Sequence, residues 1–277
     1  MLFSHVKRLH LVALLALSAH YHMASAQDTA EVTPGNAGTH LHANGGRPLK
    51  NLMVSLAGEH GLAIDYEDAP YQASSAFEDT AVPQWRLEHG KGWMSLKART
   101  FDLQTPLPLD ESIDHAGSIL SQIVEQYNAN SNPDSFQLVT ETPKRLSVVG
   151  IAARNDNGTL VPQEPVLSLP IQISSVRQTL SEALETLTQQ LTQVSGHLVG
   201  VGTVPQNLFH TTSCVPPDGV HPARYDLTSI LDAAPVKLVW GLLYDINSDS
   251  YALNIMVVSH YSIASDGGRS LVTVKNP

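Results

Sequence analysis

A chain of 277 residues with 42% hydrophobic content is long enough to bury a sizeable core, and 26 acids against 16 bases give it a net charge of −10. Such a surface repels phosphate backbones and anionic headgroups, which argues against nucleic acid and acidic lipid as partners. With Cys214 as the single cysteine there is no internal disulfide, so the fold must stand on apolar burial. The turn-rich HTTSCVPPDG around Cys214 leaves two readings open, an unpaired thiol or an intermolecular disulfide.

Residues 1–26 read as a secretory signal peptide. Lys7 and Arg8 form a basic start, Leu9 to Ala19 an apolar stretch too short to span a bilayer, and Ala24-Ser25-Ala26 the small residues a signal peptidase reads. Cleavage is expected between Ala26 and Gln27; it removes two bases and no acid, taking the charge to −12. No later stretch is apolar enough to cross a membrane, so the mature chain is expected to be periplasmic or secreted, with no transmembrane segment. The polar, turn-forming residues 27–40 are expected to be a disordered leader.

From Leu41 the pattern changes. Pro48 suits a first helical position, and Leu49, Leu52, Met53 and Leu56 follow helical spacing. Gly58 and Gly61 suit its end, and LAIDY then alternates as a short strand. After the strand-like WMSLKARTFDL comes a second helix, with Asp110 as N-cap and Ile113, Ala116, Leu120, Ile123, Val124 and Tyr127 on one face. DSFQLVTE and RLSVVGIA follow as strands about a turn at Thr142-Pro143. The strand-like VLSLPIQIS precedes a third helix, with Val176, Leu180, Leu184, Leu187, Leu191 and Val194 on one face, Gly196 as its stop and HLVGVG as its strand. Leu227, Ile230, Leu231 and Ala234 mark a short fourth helix, ahead of strands VKLVWGLLYD and YALNIMVV around the turn INSDS.

This grammar predicts an α+β fold of repeated strand–helix–strand units, packed as small mixed sheets with helices on one face. Two similar domains are expected, 41–155 and 156–277. ARNDNGTLVPQEP serves as a hairpin loop or as the boundary between them.

Few residues invite a chemical reading. Asp65, Glu67 and Asp68 cluster after the first helix; Asp65 alternates with Ile64 and Tyr66 and is expected to face solvent, and the other two to lie in a solvated turn. His40 and His42 share one strand face, a metal-compatible spacing, but no acid or cysteine adjoins them in sequence. Gly200-Val201-Gly202 lacks the third glycine and the helix of a dinucleotide loop, and no nucleophile elbow or phosphate loop occurs. Trp240 alternates with Leu238, Leu242 and Tyr244 as a core residue, whereas Trp85 lies in a Pro- and Gly-bounded loop as a contact candidate. No catalytic residue, metal site or cofactor is expected.

GRPLKNLMVSLAGEHGLAIDY, with Pro48, Leu49, Leu52, Leu56, Gly61, Leu62, Ile64 and Tyr66 at the matching positions, resembles the secretin and TonB short N-terminal domain. In that family a second helix and closing strands follow, a slot that DESIDHAGSILSQIVEQ and FQLVTETPKRLSVV fit. YEDAPY, SGHLVGVGTVPQNLF and LVWGLLYDINSDSYALNI also resemble a group of secreted bacterial proteins. The resemblance implies a periplasmic docking domain without catalysis of its own. No barrel or secretin core follows before Pro277, so a free-standing binding role is expected, engaging a protein or cell-envelope partner through sheet edges and strand-end loops. The alternative is an envelope hydrolase or metal-dependent enzyme built on Asp65, Glu67 and Asp68. A third reading is a structural homo-oligomer joined at sheet edges.

Overall fold

The computed structural model describes residues 28–35, 38–105, 113–142, 145–263 and 269–276; the signal peptide expected over 1–26, Asp110 and the Thr142-Pro143 turn lie outside them or at their margin. Strands β1 (Thr29–Gly35) and β2 (Gly38–Gly45) form an antiparallel hairpin. This corrects the disordered leader expected over 27–40. Ala30 and Val32 alternate with polar neighbours and pack on the same core as the fully buried Leu41, so these residues had apolar surface to bury.

Helix α1 (Pro48–His60) opens on Pro48 and buries Leu49, Leu52, Met53 and Leu56. It ends at Gly61, whose φ of 63° is left-handed, and β3 (Ile64–Glu67) follows. Next comes an arm of β4 (Phe77–Asp79), α2 (Pro83–His89) and β5 (Met94–Leu96), and then β6 (Arg99–Thr105), which pairs with β2. Helix α3 (Ile113–Ala129) lays Ala116, Leu120, Ile123, Val124 and Tyr127 on the core. Strands β7 (Asp134–Thr142) and β8 (Arg145–Arg154) form a hairpin, and β9 (Leu160–Pro162) folds back on the end of β8, so ARNDNGTLVPQEP holds a hairpin loop.

After the short strands β10 (Pro170–Ile171) and β11 (Gln178–Thr179) comes α4 (Leu180–Ser195). Thr179 caps it, its hydroxyl accepting from Glu182 N–H while the Glu182 carboxylate accepts from Thr179 N–H. Val176 therefore precedes the helix and is exposed, and Val194 is half-exposed on its last turn, against the buried stripe expected of both. Strand β12 (Leu198–Val201), α5 (Gln206–Thr211), β13 (Ser213–Cys214), β14 (His221–Pro222) and α6 (Ala223–Asp232) lead to the hairpin of β15 (Leu238–Asp245) and β16 (Ser250–Val257). A last hairpin pairs β17 (Ser259–Ile263) with β18 (Arg269–Thr273).

A seven-stranded sheet runs β12-β16-β15-β3-β8-β7, with β9 beside β8. Two units of the same chain order make it: α1, β3, α3, β7, β8 and then α4, β12, α6, β15, β16. In each, the first strand runs parallel to the last, and the last antiparallel to the middle one. The units meet where β15 runs parallel to β3, which makes β12 and β3 antiparallel. Registered pairs share a face, so Glu67 lies with Leu242, and Tyr66 with Gly241. Leu242 belongs to a core under α4 and α6; Ile64 and Tyr66 belong to a core under α1 and α3. The units are thus related by a half turn about an axis across the strands. Each carries its helices on one face, and the two faces are opposite.

Candidate functional site

The acidic cluster of β3 sits at the joint between the units. Alternation sends Ile64 and Tyr66 into one core, as the strand pattern requires, but the opposite face is not solvent. Strand β15 and helix α6 cover it, and Asp65 and Glu67 are 0% exposed, which corrects the expected solvated cluster. Arg145 Nη1 donates to both Asp65 oxygens at 2.9 and 3.1 Å, and Arg145 Nη2 reaches Asp232 and the Leu238 carbonyl across the joint. Glu67 accepts from Arg224 Nη2 at 2.6 Å and from Leu167 N–H at 2.9 Å; Arg224 Nε also faces Glu141 at 3.4 Å. Asp68 accepts from Arg47 Nε at 2.7 Å and from the Tyr71 hydroxyl at 3.2 Å.

These carboxylates also complete a short ladder. Strands β3 and β15 are paired only at Tyr66↔Gly241 and Glu67↔Leu242. At one end Trp240 N–H donates to Asp65, and at the other Tyr244 N–H donates to Asp68 while Asp68 N–H donates to the Leu242 carbonyl. Burial pushes the Asp65 carboxyl up to about 6 against the pull of Arg145, and raises Glu67 against that of Arg224. Among the described residues no imidazole pairs with any of the three acids. The cluster's chemistry is ion pairing and strand completion between two halves of one sheet.

His40 and His42 do share a strand face, and the fold brings them an acid 60 residues away: His42 Nδ1 lies 2.7 Å, and His40 Nε2 3.7 Å, from Asp102 Oδ1 on β6. Only the β2–β6 pairing supplies that neighbour, so sequence adjacency held no signal of it. Among the described residues no group of three or more His, Cys, Asp or Glu is arranged to hold a metal ion. Gly202 ends the β12 stretch, donating to the Leu253 carbonyl, and Trp240 is buried in the second core. Cys214 is buried in β13, and burial raises its thiol pKa.

The arm carries the most exposed apolar side chain among the described residues, Leu87. Its base is rooted in the second unit: Phe77 joins that unit's core, and Asn247, in the β15–β16 turn, bonds both Met94 N–H and Met94 carbonyl at 2.8 Å. Asp79 holds it together, accepting from Ala81 N–H and Trp93 N–H at 3.0 Å and from Arg86 Nη2 at 2.9 Å. Trp85 is on helix α2, not in the expected loop; it stacks on His89 with ring centroids 3.7 Å apart and meets Trp93 edge-on at 5.3 Å. Pro83 at the first helical position and Gly90, with φ 68°, as the stop were the signals that could have located this helix. Helix α2 buries no residue, and Leu87 is 87% exposed with Val82 half-exposed beside it.

The outer edges of the sheet are different. Asn128, at the end of α3, accepts Phe136 N–H at 2.9 Å and donates to the Phe136 carbonyl at 2.7 Å on β7. Thr192 Oγ1, near the end of α4, accepts Val199 N–H at 2.9 Å and lies 3.3 Å from the Val199 carbonyl on β12. Ser195 does the same for His197, at 3.2 and 3.3 Å. Comparison with protein-family models, curated proteins and solved structures finds no match to this chain.

Proposed function

We propose that the chain is an exported, non-catalytic docking protein of the bacterial cell envelope. The observation that carries this reading is the arm. Asp79 and Asn247 fix its backbone, yet Val82 and Leu87 are exposed, the half-buried Trp85 and Trp93 gather beside the exposed His89, and no residue of α2 is buried. Order without burial is what a preformed contact surface needs, because little ordering entropy remains to be lost on binding. Helix, strand, helix and hairpin follow each other in both units, which is the order the short N-terminal domain resemblance implies and supports that resemblance. Of the two contact modes expected from sequence, the loops are favoured over the edges, since Asn128, Thr192 and Ser195 already occupy outward main-chain groups. An enzyme built on Asp65, Glu67 and Asp68 draws no support from carboxylates paired with arginines and backbone amides. Export agrees with the absence, among the described residues, of any helix long and apolar enough to cross a membrane.

A photo-crosslinking residue at Leu87, expressed in the exporting bacterium, tests this. A discrete adduct that disappears with Trp85→Ala is expected. Adducts no different from those of the same probe at the exposed Gln189 would overturn the reading.

A further inference from the structure

We infer that the outer edges of the sheet are a latent interface for a second copy of this chain, held shut by Asn128 and Thr192. The inference does not depend on the docking role. It rests on the joint inside the molecule, where a strand of β15 type accepts a strand of β3 type in parallel. Among the described residues the sheet's two outer edges are unpaired, and they are one of each. Strand β7 is the counterpart of β15 in the first unit, and β12 the counterpart of β3 in the second.

The registers make the correspondence residue by residue. Aligning the pairs Ile64↔Leu146 and Val199↔Tyr251 sets Phe136 in the place of Trp240 and Leu138 in that of Leu242. Trp240 N–H and the Leu242 carbonyl are the groups bonded across the joint, to Asp65 and Asp68. At the outer edge, Phe136 N–H and carbonyl have the same direction, and there the Asn128 side chain takes both. On β12, Gly202 N–H turns inward to Leu253, so alternation turns Val199 and Val201 outward, and Thr192 Oγ1 accepts the Val199 N–H. Aligning the left-handed Gly61 and Gly196 puts Ala57 where Thr192 stands, so the helix beside the joined edge carries no hydroxyl at that position. The same alignment puts Leu198, half-exposed, in the place of Ala63, which is buried against Val239 at the joint. Gly200 and Thr203 replace Asp65 and Asp68, so a copy-to-copy joint would run on main-chain bonds and Leu198, without the carboxylates. Asn128 and Thr192 bond the strands that would form it, and Ser195 holds only His197, ahead of β12.

The test is sedimentation velocity across a range of loading concentrations, on wild type, Asn128→Ala, Thr192→Val and the double variant. Wild type and each single variant are expected to sediment as monomers. An equimolar mixture of the two singles should give a dimer, since each opens one complementary edge, and the double variant should give longer species. Thr192→Ser, which keeps the hydroxyl, should leave the chain monomeric in the Asn128→Ala background. Hydrogen exchange on wild type needs no variant: Phe136 and Val199 amides should be protected where Leu138 and Val201 are not. A monomeric double variant whose Phe136 and Val199 amides have lost protection would overturn the inference. So would a single variant that dimerises alone, an opened edge that takes up only an added extended peptide, or equally fast exchange of all four amides in wild type.

Discussion

Arg145 and Asp65 form an ion pair sealed from solvent at the centre of the molecule, with Arg145 Nη1 2.9 and 3.1 Å from the two carboxylate oxygens. Removing one partner leaves the other charge buried. Arg145→Met is therefore expected to destabilise the protein by about 3–5 kcal/mol, and adding Asp65→Asn should recover much of that loss. Urea unfolding of the two singles and the double measures it. A single-variant loss below about 1 kcal/mol would show the pair to be solvated.

The pH dependence follows from the direction of the same shift. Burial holds the Asp65 carboxyl at about 6 in the folded chain, above the unfolded value of about 4. The folded state binds this proton more tightly, so the stability it contributes is fully present below about pH 4 and is lost as pH rises through about 6. Glu67, raised by burial, acts in the same direction. Asp65→Asn should flatten the fall of the melting temperature over that window. A slope unchanged from wild type would remove Asp65 as its source.

Asp79→Ala should loosen the arm and spare the rest, since Ala81, Trp93 and Arg86 all donate to that carboxylate while α2 buries nothing. Hydrogen exchange should accelerate over residues 77–96, with global stability shifting by no more than about 0.5 kcal/mol. Exchange unaltered in that segment would mean the arm is ordered by something else.

Thr179→Ala deletes the hydroxyl half of a reciprocal cap at the start of α4, leaving the backbone N–H of residue 179 to Glu182, and should cost about 1 kcal/mol. Thr179→Ser should cost little. Equal losses for the two would point to the methyl group and not the hydroxyl.

Cys214 gives a plainer check. Its thiol is buried, and burial raises its pKa, so a thiol reagent should label it only as the protein unfolds. Stoichiometric labelling of the native chain within seconds would contradict the burial.

Helix and strand positions were readable because each element carries its own period: Leu49, Leu52, Met53 and Leu56 in α1, and Trp240, Leu242 and Tyr244 in β15, are buried as their spacing demands. What failed were statements about what lies on the other side. Nothing local tells Asp65 that a strand 175 residues away will lie against it, so alternation pointed it correctly and named its surroundings wrongly. Asp102 beside His42 is the same case, since register between distant strands decides it. The hairpin β1–β2 was obscured by its small and polar residues, which earn their place only through the core that Ala30 and Val32 touch. Trp85 lay in a helix too short for periodicity to register, though Pro83 and Gly90 bracketed it.

Each unit owns its oily interior, and they lie on opposite sides of the shared sheet, with Tyr71 and Phe77, among the described residues, the first half's only buried members of the second half's core. Melting need not take the whole chain at once. Cooperativity is here a property of the junction, a two-rung ladder braced by arginines, and a single calorimetric transition would report the strength of that brace more than the depth of either interior. Weakening Arg145 or Arg224 should then split one transition into two before it lowers the later one.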